Sequence, residues 1–186
     1  NMSSLITTDL VKELRDATCI SIMQCKRALE EAEGDMKKAL AILKKTSSEI
    51  ALKKTDRVVK DGAVTTKSNN NKIIMVSLLC ETDFVAKNED FTTLISKLAD
   101  MALSDGIKKM KENAKDMIDS VIQKTGENIQ LGEIYEVSGN VLGNYIHNNK
   151  IAIIVSLEGG NAELARDVAM HIAAMKPEFI SSSEIS

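Results

Sequence analysis

The spacing of apolar residues changes near Gly62, and this change constrains the fold more than any other feature of the sequence. Before Gly62, apolar residues recur at intervals of three and four, as on the buried face of a helix. After it come short runs of apolar and β-branched residues that are typical of strands. We therefore predict an α+β chain, in which a helical segment precedes antiparallel sheets that are covered by helices on one face.

Three short helices are predicted within residues 1–45. Thr8 is placed at the start of the first, Ser21 and Gln24 form a capping box for the second, and Asp35 caps the third. Helices this short gain most of their stability from packing rather than from propensity. We therefore expect them to pack on one another as a three-helix module.

The remainder of the chain is predicted to be a linker and two subdomains. Residues 46–61 are polar and rich in lysine, so we predict a partly helical linker there. The core N-subdomain then covers residues 62–140, and the core C-subdomain covers residues 141–186.

Each subdomain is predicted to begin with a β-hairpin and to continue into helix. Asparagine-rich turns at residues 68–71 and 148–149 separate runs of strand-forming residues. After the first hairpin, a helix is predicted to begin at about Glu89, with Asn88 as its cap. IIMVSL at residues 73–78 and AIIVSL at residues 152–157 share four identities, so we predict a weak internal duplication.

The composition argues against several classes of function. A net charge of −3, with both signs spread along the chain, favours a protein partner over direct binding to nucleic acid. No apolar run reaches the ~18 to 20 residues that a membrane span needs, and the first residues do not resemble a signal peptide. Three cysteines without a CxxC pair indicate a reducing compartment, hence a cytoplasmic protein or one of an organellar matrix.

Few residues are candidates for catalysis. Cys25 could pair with His147 or His171 as a thiol dyad, but Cys25 lies on an apolar helix face where cysteines are usually packed as small hydrophobes. His171 is expected to be a core or edge histidine. Because the common phosphate-binding glycine motifs are also missing, we predict that the chain is not an enzyme and holds neither a cofactor nor a metal.

The segment CETDFVAKNEDF, residues 80–91, leaves a strand and enters a helix. In one interpretation Asp83 caps a turn and Phe84 folds back into the core. In the other, Phe84 is a presented aromatic beside a carboxylate, a pair that commonly dominates protein interfaces. The residues alone do not decide between the two.

This segment resembles the stretch TDFVA[KR]N of the elongation factor Ts family. LVKELRDAT and CKRALEEAEGDMKKA resemble the N-terminal module of that family, which is similar to ubiquitin-associated domains. GENI, GNYIH and AMHIAAMKPEFIS follow in the family's order. The resemblance implies a guanine nucleotide exchange factor that binds EF-Tu·GDP, disturbs its Mg²⁺ site and promotes GDP release so that GTP can bind.

The resemblance also implies which residues touch EF-Tu. The residues that dislocate Mg²⁺ correspond to Thr82, Asp83, Phe84 and Val85. Secondary contacts correspond to Arg15, Ile22, Met23, Lys26, Gly126 and His147.

The chain departs from the family at the loop between the first two helices, where it reads TCISIMQCK instead of the usual TGAGMMDCK. Many members continue into a coiled coil beyond residue 185, so a truncated C-subdomain is expected. A homodimer stays open as a further partner arrangement.

A second interpretation is an interaction adaptor. Ile20, Ile22 and Met23 could form an apolar loop that binds ubiquitin-like or ribosome-associated partners, with residues 62–186 as a scaffold. We favour exchange activity, because the adaptor leaves the TDFVAKN segment without a role.

Overall fold

The computed structural model describes residues 6–178 and residue 183. Three helices come first: α1 (Thr8–Thr18), α2 (Ile22–Glu31) and α3 (Met36–Leu52). Side chains immediately before each helix accept hydrogen bonds from its first turn, namely Thr7, Ser21 and Asp35. The first cap is therefore Thr7 and not Thr8, which is already helical.

The three helices enclose a core of their own. Leu14, Cys25 and Leu29 are fully buried there, and Ala39 and Leu43 of α3 close it. The predicted packing of three helices is confirmed. The likeness to ubiquitin-associated domains stays a prediction.

Helix α3 extends beyond the predicted end of the module, so residues 46–52 of the expected linker are helical. Ser47 and Ala51 are buried on this helix, and the Ser47 hydroxyl donates a hydrogen bond to the Gln123 amide oxygen. Packing against a distant helix thus stabilises a polar stretch whose own pattern is weak. The division into domains itself stays a prediction.

Three antiparallel strands form the larger sheet, β1 (Asp61–Asn69), β2 (Lys72–Cys80) and β3 (Ile129–Ser138), with β2 in the middle. The first predicted hairpin is confirmed, and its turn narrows to Asn70 and Asn71. Strand β3 was not predicted. It pairs with β2 in a register that places Cys80 opposite Ile129.

Helices α4 (Asp83–Ala86), α5 (Glu89–Asp105) and α6 (Ile107–Thr125) follow β2. Asn88 caps α5 as predicted, through a bond from the Asp90 N–H to its side chain. The apolar faces of α5 and α6 pack with β2 to form the main core, which contains the fully buried Phe91, Leu98 and Met110.

The second hairpin, β4 (Val141–His147) and β5 (Ile151–Leu157), is followed by α7 (Ala162–Met175), as predicted. Asn148 and Asn149 both have positive φ, 50° and 55°, which asparagine tolerates better than most residues. A Cβ atom at Gly143 would lie 2.4 Å from the Arg166 backbone nitrogen, so only glycine lets α7 pack this closely on β4.

Together these elements confirm the α+β class. Both hairpins are followed by helices. The internal duplication of this hairpin-and-helix unit stays a prediction. The end of the matched string AMHIAAMKPEFIS and the expected truncation of the C-subdomain fall on residues 179–186, which apart from residue 183 lie outside the described residues.

The turn of the second hairpin lies beside the start of β1. The Val64 N–H donates to the Asn149 carbonyl at 2.9 Å, and the Lys150 ammonium bonds the Asp61 carboxylate and the Gly62 carbonyl. Because Asp61 is paired with Cys80, this turn lies at the same end of the sheet as the end of β2.

Candidate functional site

A single helical turn, α4, follows β2, and residues 82–86 are called here the Phe84 turn. The Thr82 hydroxyl caps it by accepting a hydrogen bond from the Val85 N–H at 3.4 Å. Val85 packs against the main core and Ala86 is 5% exposed, whereas Phe84 is 83% exposed. The interpretation of Phe84 as a core plug is therefore wrong, and the ring faces solvent.

Asp83 stands beside this ring and pairs with Lys87 four residues later. The two charged groups are 2.9 Å apart, and the hydrogen bond to Asp83 raises the pKa of Lys87. The Lys87 side chain is 73% exposed and that of Asp83 47%, so the pair contributes little to folding stability. The carboxylate is thus accessible, and it belongs to the residue directly before Phe84.

Cys80, two residues before the turn, is fully buried and contacts it. The Cys80 thiol donates to the Thr82 carbonyl at 3.1 Å. Burial, followed by the charges of Glu127 and Asp61, raises the pKa of Cys80 to about 11. Cys80 therefore remains a thiol at neutral pH and serves packing rather than chemistry.

The loop between α6 and β3 holds the start of the turn. The Glu127 carboxylate accepts hydrogen bonds from the N–H groups of Glu81 and Thr82, each at 3.0 Å, and from the Thr82 hydroxyl at 2.6 Å. Of the string GENI, only Gly126 is a predicted contact residue, and Glu127 was missed. A pair of side chains 45 residues apart gives no local signal of its contact.

Gly126 belongs to the same neighbourhood. It ends α6 with φ at 76°, and its carbonyl accepts a hydrogen bond from the Arg57 guanidinium at 3.2 Å. Arg57 also lies 3.5 Å from the Glu81 carboxylate, at the start of the Phe84 turn. The structure therefore brings the predicted contact residue Gly126 close to Thr82.

His147 lies on the second hairpin at the same end of the sheet. It is exposed, and its two ring nitrogens contact the Tyr145 hydroxyl and the Asn148 amide, each at 3.2 Å. The hairpin turn next to it is tied to Asp61, the partner of Cys80 in the sheet. His147 is thus oriented by its neighbours and remains accessible.

The four predicted contacts of the helical module lie where α1 is followed by α2. Arg15 and Lys26 are exposed, as are Ile22 at 56% and Met23 at 65%. A groove of about 370 Å³ lies between residues 16–20 and helices α5 and α6, and none of the four residues lines it. No hydrogen bond or ion pair described in the structure joins any of the four to residues 82–86.

The adaptor and the thiol dyad each depend on a residue that the structure buries. Ile20 is 3% exposed, so the apolar loop of an adaptor is reduced to Ile22 and Met23. Cys25 is fully buried against Thr18 and the Ile20 carbonyl, and burial raises its pKa.

The histidines complete the case against a thiol dyad. Both His147 and His171 are exposed, so of the two positions expected for His171 the core is wrong and the edge remains. A buried thiol of raised pKa and two exposed imidazoles do not make a catalytic pair.

Residues 6–178 and 183 contain neither a candidate membrane-spanning helix nor a candidate metal cluster. Within them, no helix is both long enough and apolar enough to cross a membrane. In the same residues, no group of three or more His, Cys, Asp or Glu side chains is arranged to hold a metal ion.

Comparison with known proteins places this site in a family context. The model of the family described as "Elongation factor TS" matches residues 81–186. "Elongation factor Ts" of Hahella chejuensis is 42% identical over 188 residues, covering 97% of this chain and 66% of that protein. The proteins of the same name from Tolumonas auensis and Pseudomonas syringae are 39% and 36% identical over 97% of this chain, which spans 65% and 64% of their lengths. The chain thus covers slightly less than two thirds of these curated relatives.

Proposed function

The chain belongs to the elongation factor Ts family, and from this membership we propose that it is a guanine nucleotide exchange factor. In this proposal it binds EF-Tu in its GDP form, disturbs the Mg²⁺ site and promotes release of GDP so that GTP can bind. The observation that supports this proposal most is the exposure of Phe84 in the TDFV segment. Solvent reaches 83% of the surface of Phe84.

The exposed ring can supply the energy that exchange requires. Burying a phenylalanine side chain gives about 2–3 kcal/mol. Each tenfold shift in the balance between bound and released nucleotide needs only about 1.4 kcal/mol. One ring that inserts into the partner can therefore favour the nucleotide-free complex by about a hundredfold.

Rigidity of the turn increases the effect. Val85 and Ala86 fix it to the main core, and the Thr82 cap and the Asp83–Lys87 pair hold its two ends. A segment whose backbone is already ordered loses little backbone entropy when it binds. Phe84 is therefore available as an interface residue without refolding of its surroundings.

Asp83 and Phe84 act together in the proposed mechanism. Mg²⁺ bridges phosphate oxygens and protein ligands in a GTPase, so a partner that displaces those ligands weakens nucleotide binding. Phe84 repacks the region of EF-Tu that lies next to the metal. Asp83 gives up its ion pair with Lys87 and accepts hydrogen bonds from the displaced segment of EF-Tu.

Linkage makes the coupling reciprocal, so the nucleotide weakens binding of the factor by the same ratio. GTP binding therefore releases the factor. The released GDP is chemically unchanged, and the mechanism needs no catalytic side chain, cofactor or metal of this chain. We place it in the bacterial cytosol, with an organellar matrix as the alternative, because its partner acts in translation.

Release of a fluorescent GDP analogue from EF-Tu tests the proposal. Wild-type protein should accelerate release in proportion to its concentration until saturation, and Phe84→Ala should lose about a hundredfold of this acceleration. Tyr135→Ala is the matched control, since Tyr135 is also an exposed aromatic, at 50%, but pairs with Met75 away from the Cys80 end of β2. The control should behave like wild type. Release that wild type does not accelerate, or that Phe84→Ala accelerates equally well, would refute the proposal.

A further inference from the structure

Glu127 makes three hydrogen bonds to the start of the Phe84 turn, although it lies 45 residues away in sequence. One carboxylate oxygen accepts from the N–H groups of Glu81 and Thr82, and the other accepts from the Thr82 hydroxyl. Hydrogen bonds to a charged acceptor are stronger than neutral ones. We propose that Glu127 is a positioning residue, which holds the Phe84 turn in the orientation that engages the partner.

The bond to the Thr82 hydroxyl carries this effect into the turn. The same hydroxyl donates to Glu127 and accepts from the Val85 N–H, so its direction is fixed at both sides. Glu127 thereby sets the side-chain conformation of the capping residue. Helix α4 has only four residues, and so short a helix has little order of its own.

The loop that carries Glu127 is itself held to the body of the protein. The Asn128 N–H donates to the Glu81 carboxylate at 2.7 Å, the reverse of the Glu127 contact. The Asn128 side chain, 3% exposed, donates to the carbonyls of Thr55 and Arg57. Because both ends of the contact are anchored, this network adds a fixed attachment of the turn to the one that the packing of Val85 and Ala86 provides.

A positioning role predicts a specific kinetic pattern. The role rests on the proposed function, since it concerns the surface that engages EF-Tu. If loss of Glu127 leaves the binding orientation populated about a tenth of the time, the apparent affinity falls about tenfold. Once the complex has formed, the partner enforces the orientation, so the maximal rate of GDP release changes little.

Glu127→Gln is the direct variant, because it keeps the size of the side chain but replaces one acceptor oxygen by a donor. Glu136→Gln is the matched control, as Glu136 lies on β3 and pairs with Lys72 at 3.1 Å near the opposite end of β2. Release of a fluorescent GDP analogue from EF-Tu is measured over a range of concentrations of each protein. Backbone amide exchange with deuterium is measured on the free proteins.

We expect Glu127→Gln to raise the half-saturating concentration about tenfold and to keep the maximal release rate within twofold. Amides 81–86 should exchange faster, while those of the main core should not. Glu136→Gln should match wild type in all three measurements. A purely structural role would instead accelerate exchange throughout the core.

Thr82→Val removes the hydroxyl bond to Glu127, together with the cap of α4, and serves as a second variant if Glu127→Gln does not fold, with Thr82→Ser as its control. The double variant should lose less than the two single variants together, because both remove the bond between Glu127 and the Thr82 hydroxyl. A half-saturating concentration within twofold of wild type for Glu127→Gln, or an equal loss for Glu136→Gln, overturns the proposed role. If the wild-type protein does not accelerate GDP release at any concentration, the exchange function itself is refuted, and the positioning role of Glu127 with it.

Discussion

Replacement of Phe84 and of Phe91 by alanine should affect opposite properties of the protein, although the two residues are neighbours in sequence. Phe84 is 83% exposed, and Phe91 is fully buried in the main core. Their shared chemistry makes each variant the control for the other. Any difference in outcome then follows from environment alone.

The expected magnitudes follow from the covered surface. Truncation of a buried phenylalanine costs about 3–5 kcal/mol, so Phe91→Ala should lower the melting temperature by roughly 6–20 °C. Phe84 has only about a sixth of its surface covered. This corresponds to about 30–40 Å² and less than ~1 kcal/mol, part of which the better helix propensity of alanine offsets.

Urea unfolding followed by circular dichroism measures the first property, and titration with nucleotide-free EF-Tu measures the second. Phe84→Ala should keep the unfolding midpoint of wild type and weaken binding by about a hundredfold. Phe91→Ala should lower the midpoint, while its folded fraction binds normally. If Phe84→Ala is destabilised as strongly as Phe91→Ala, the ring packs within its own chain and the reasoning from exposure is refuted.

Three further predictions concern stability. Burial raises the pKa of Cys80 to about 11, so the stability that its neutral thiol contributes should fall as the pH rises from about 9 towards 11. At pH 8 a thiol reagent should label the exposed Cys19 at once and Cys80 only after unfolding. The hydrogen bond from Lys150 lowers the pKa of Asp61. The stability that the Asp61 carboxylate contributes is therefore present at neutral pH and is lost as the pH falls below about 4. Asp61→Asn should reduce this acid dependence in urea titrations. Asn128→Ala should cost about 1–3 kcal/mol in the same assay, because it removes two hydrogen bonds that the buried Asn128 side chain donates to the carbonyls of Thr55 and Arg57, each worth about 0.5–1.5 kcal/mol.

Each of these predictions has a contrary result. Rapid labelling of Cys80 in the folded protein would contradict its burial. Acid titrations of Asp61→Asn that coincide with wild type would show that the pair with Lys150 is not formed in solution. Wild-type stability of Asn128→Ala would mean that water replaces its hydrogen bonds.

Local patterns predicted much of the fold. Asparagines at the two hairpin turns and the cap at Asn88 act over a few residues, and each lies where the pattern placed it. Strand β3 was missed because its sequence includes Gly132 and three charged or amide residues, and only its first residue, Ile129, is buried. Its pairing with β2 bridges more than 40 residues, a distance that local preferences do not reveal.

The site was predictable only as a segment. Residues 80–91 stood out, but the choice between a buried and a presented Phe84 depends on whether the core has room for a second ring beside Phe91. The supporting contact of Glu127 is likewise formed only when the α6–β3 loop meets the end of β2.

Fluorine NMR of protein labelled with 4-fluorophenylalanine tests the central claim most directly, namely that the exposed ring of Phe84 enters the partner. The chain has three phenylalanines, and the Phe84 signal is assigned from its loss in Phe84→Leu. In the free protein this signal should shift between H₂O and D₂O, and that of Phe91 should not. On binding of nucleotide-free EF-Tu, the Phe84 signal should move and lose its solvent shift. An unchanged Phe84 signal in a complex that size-exclusion chromatography shows to have formed would contradict the account.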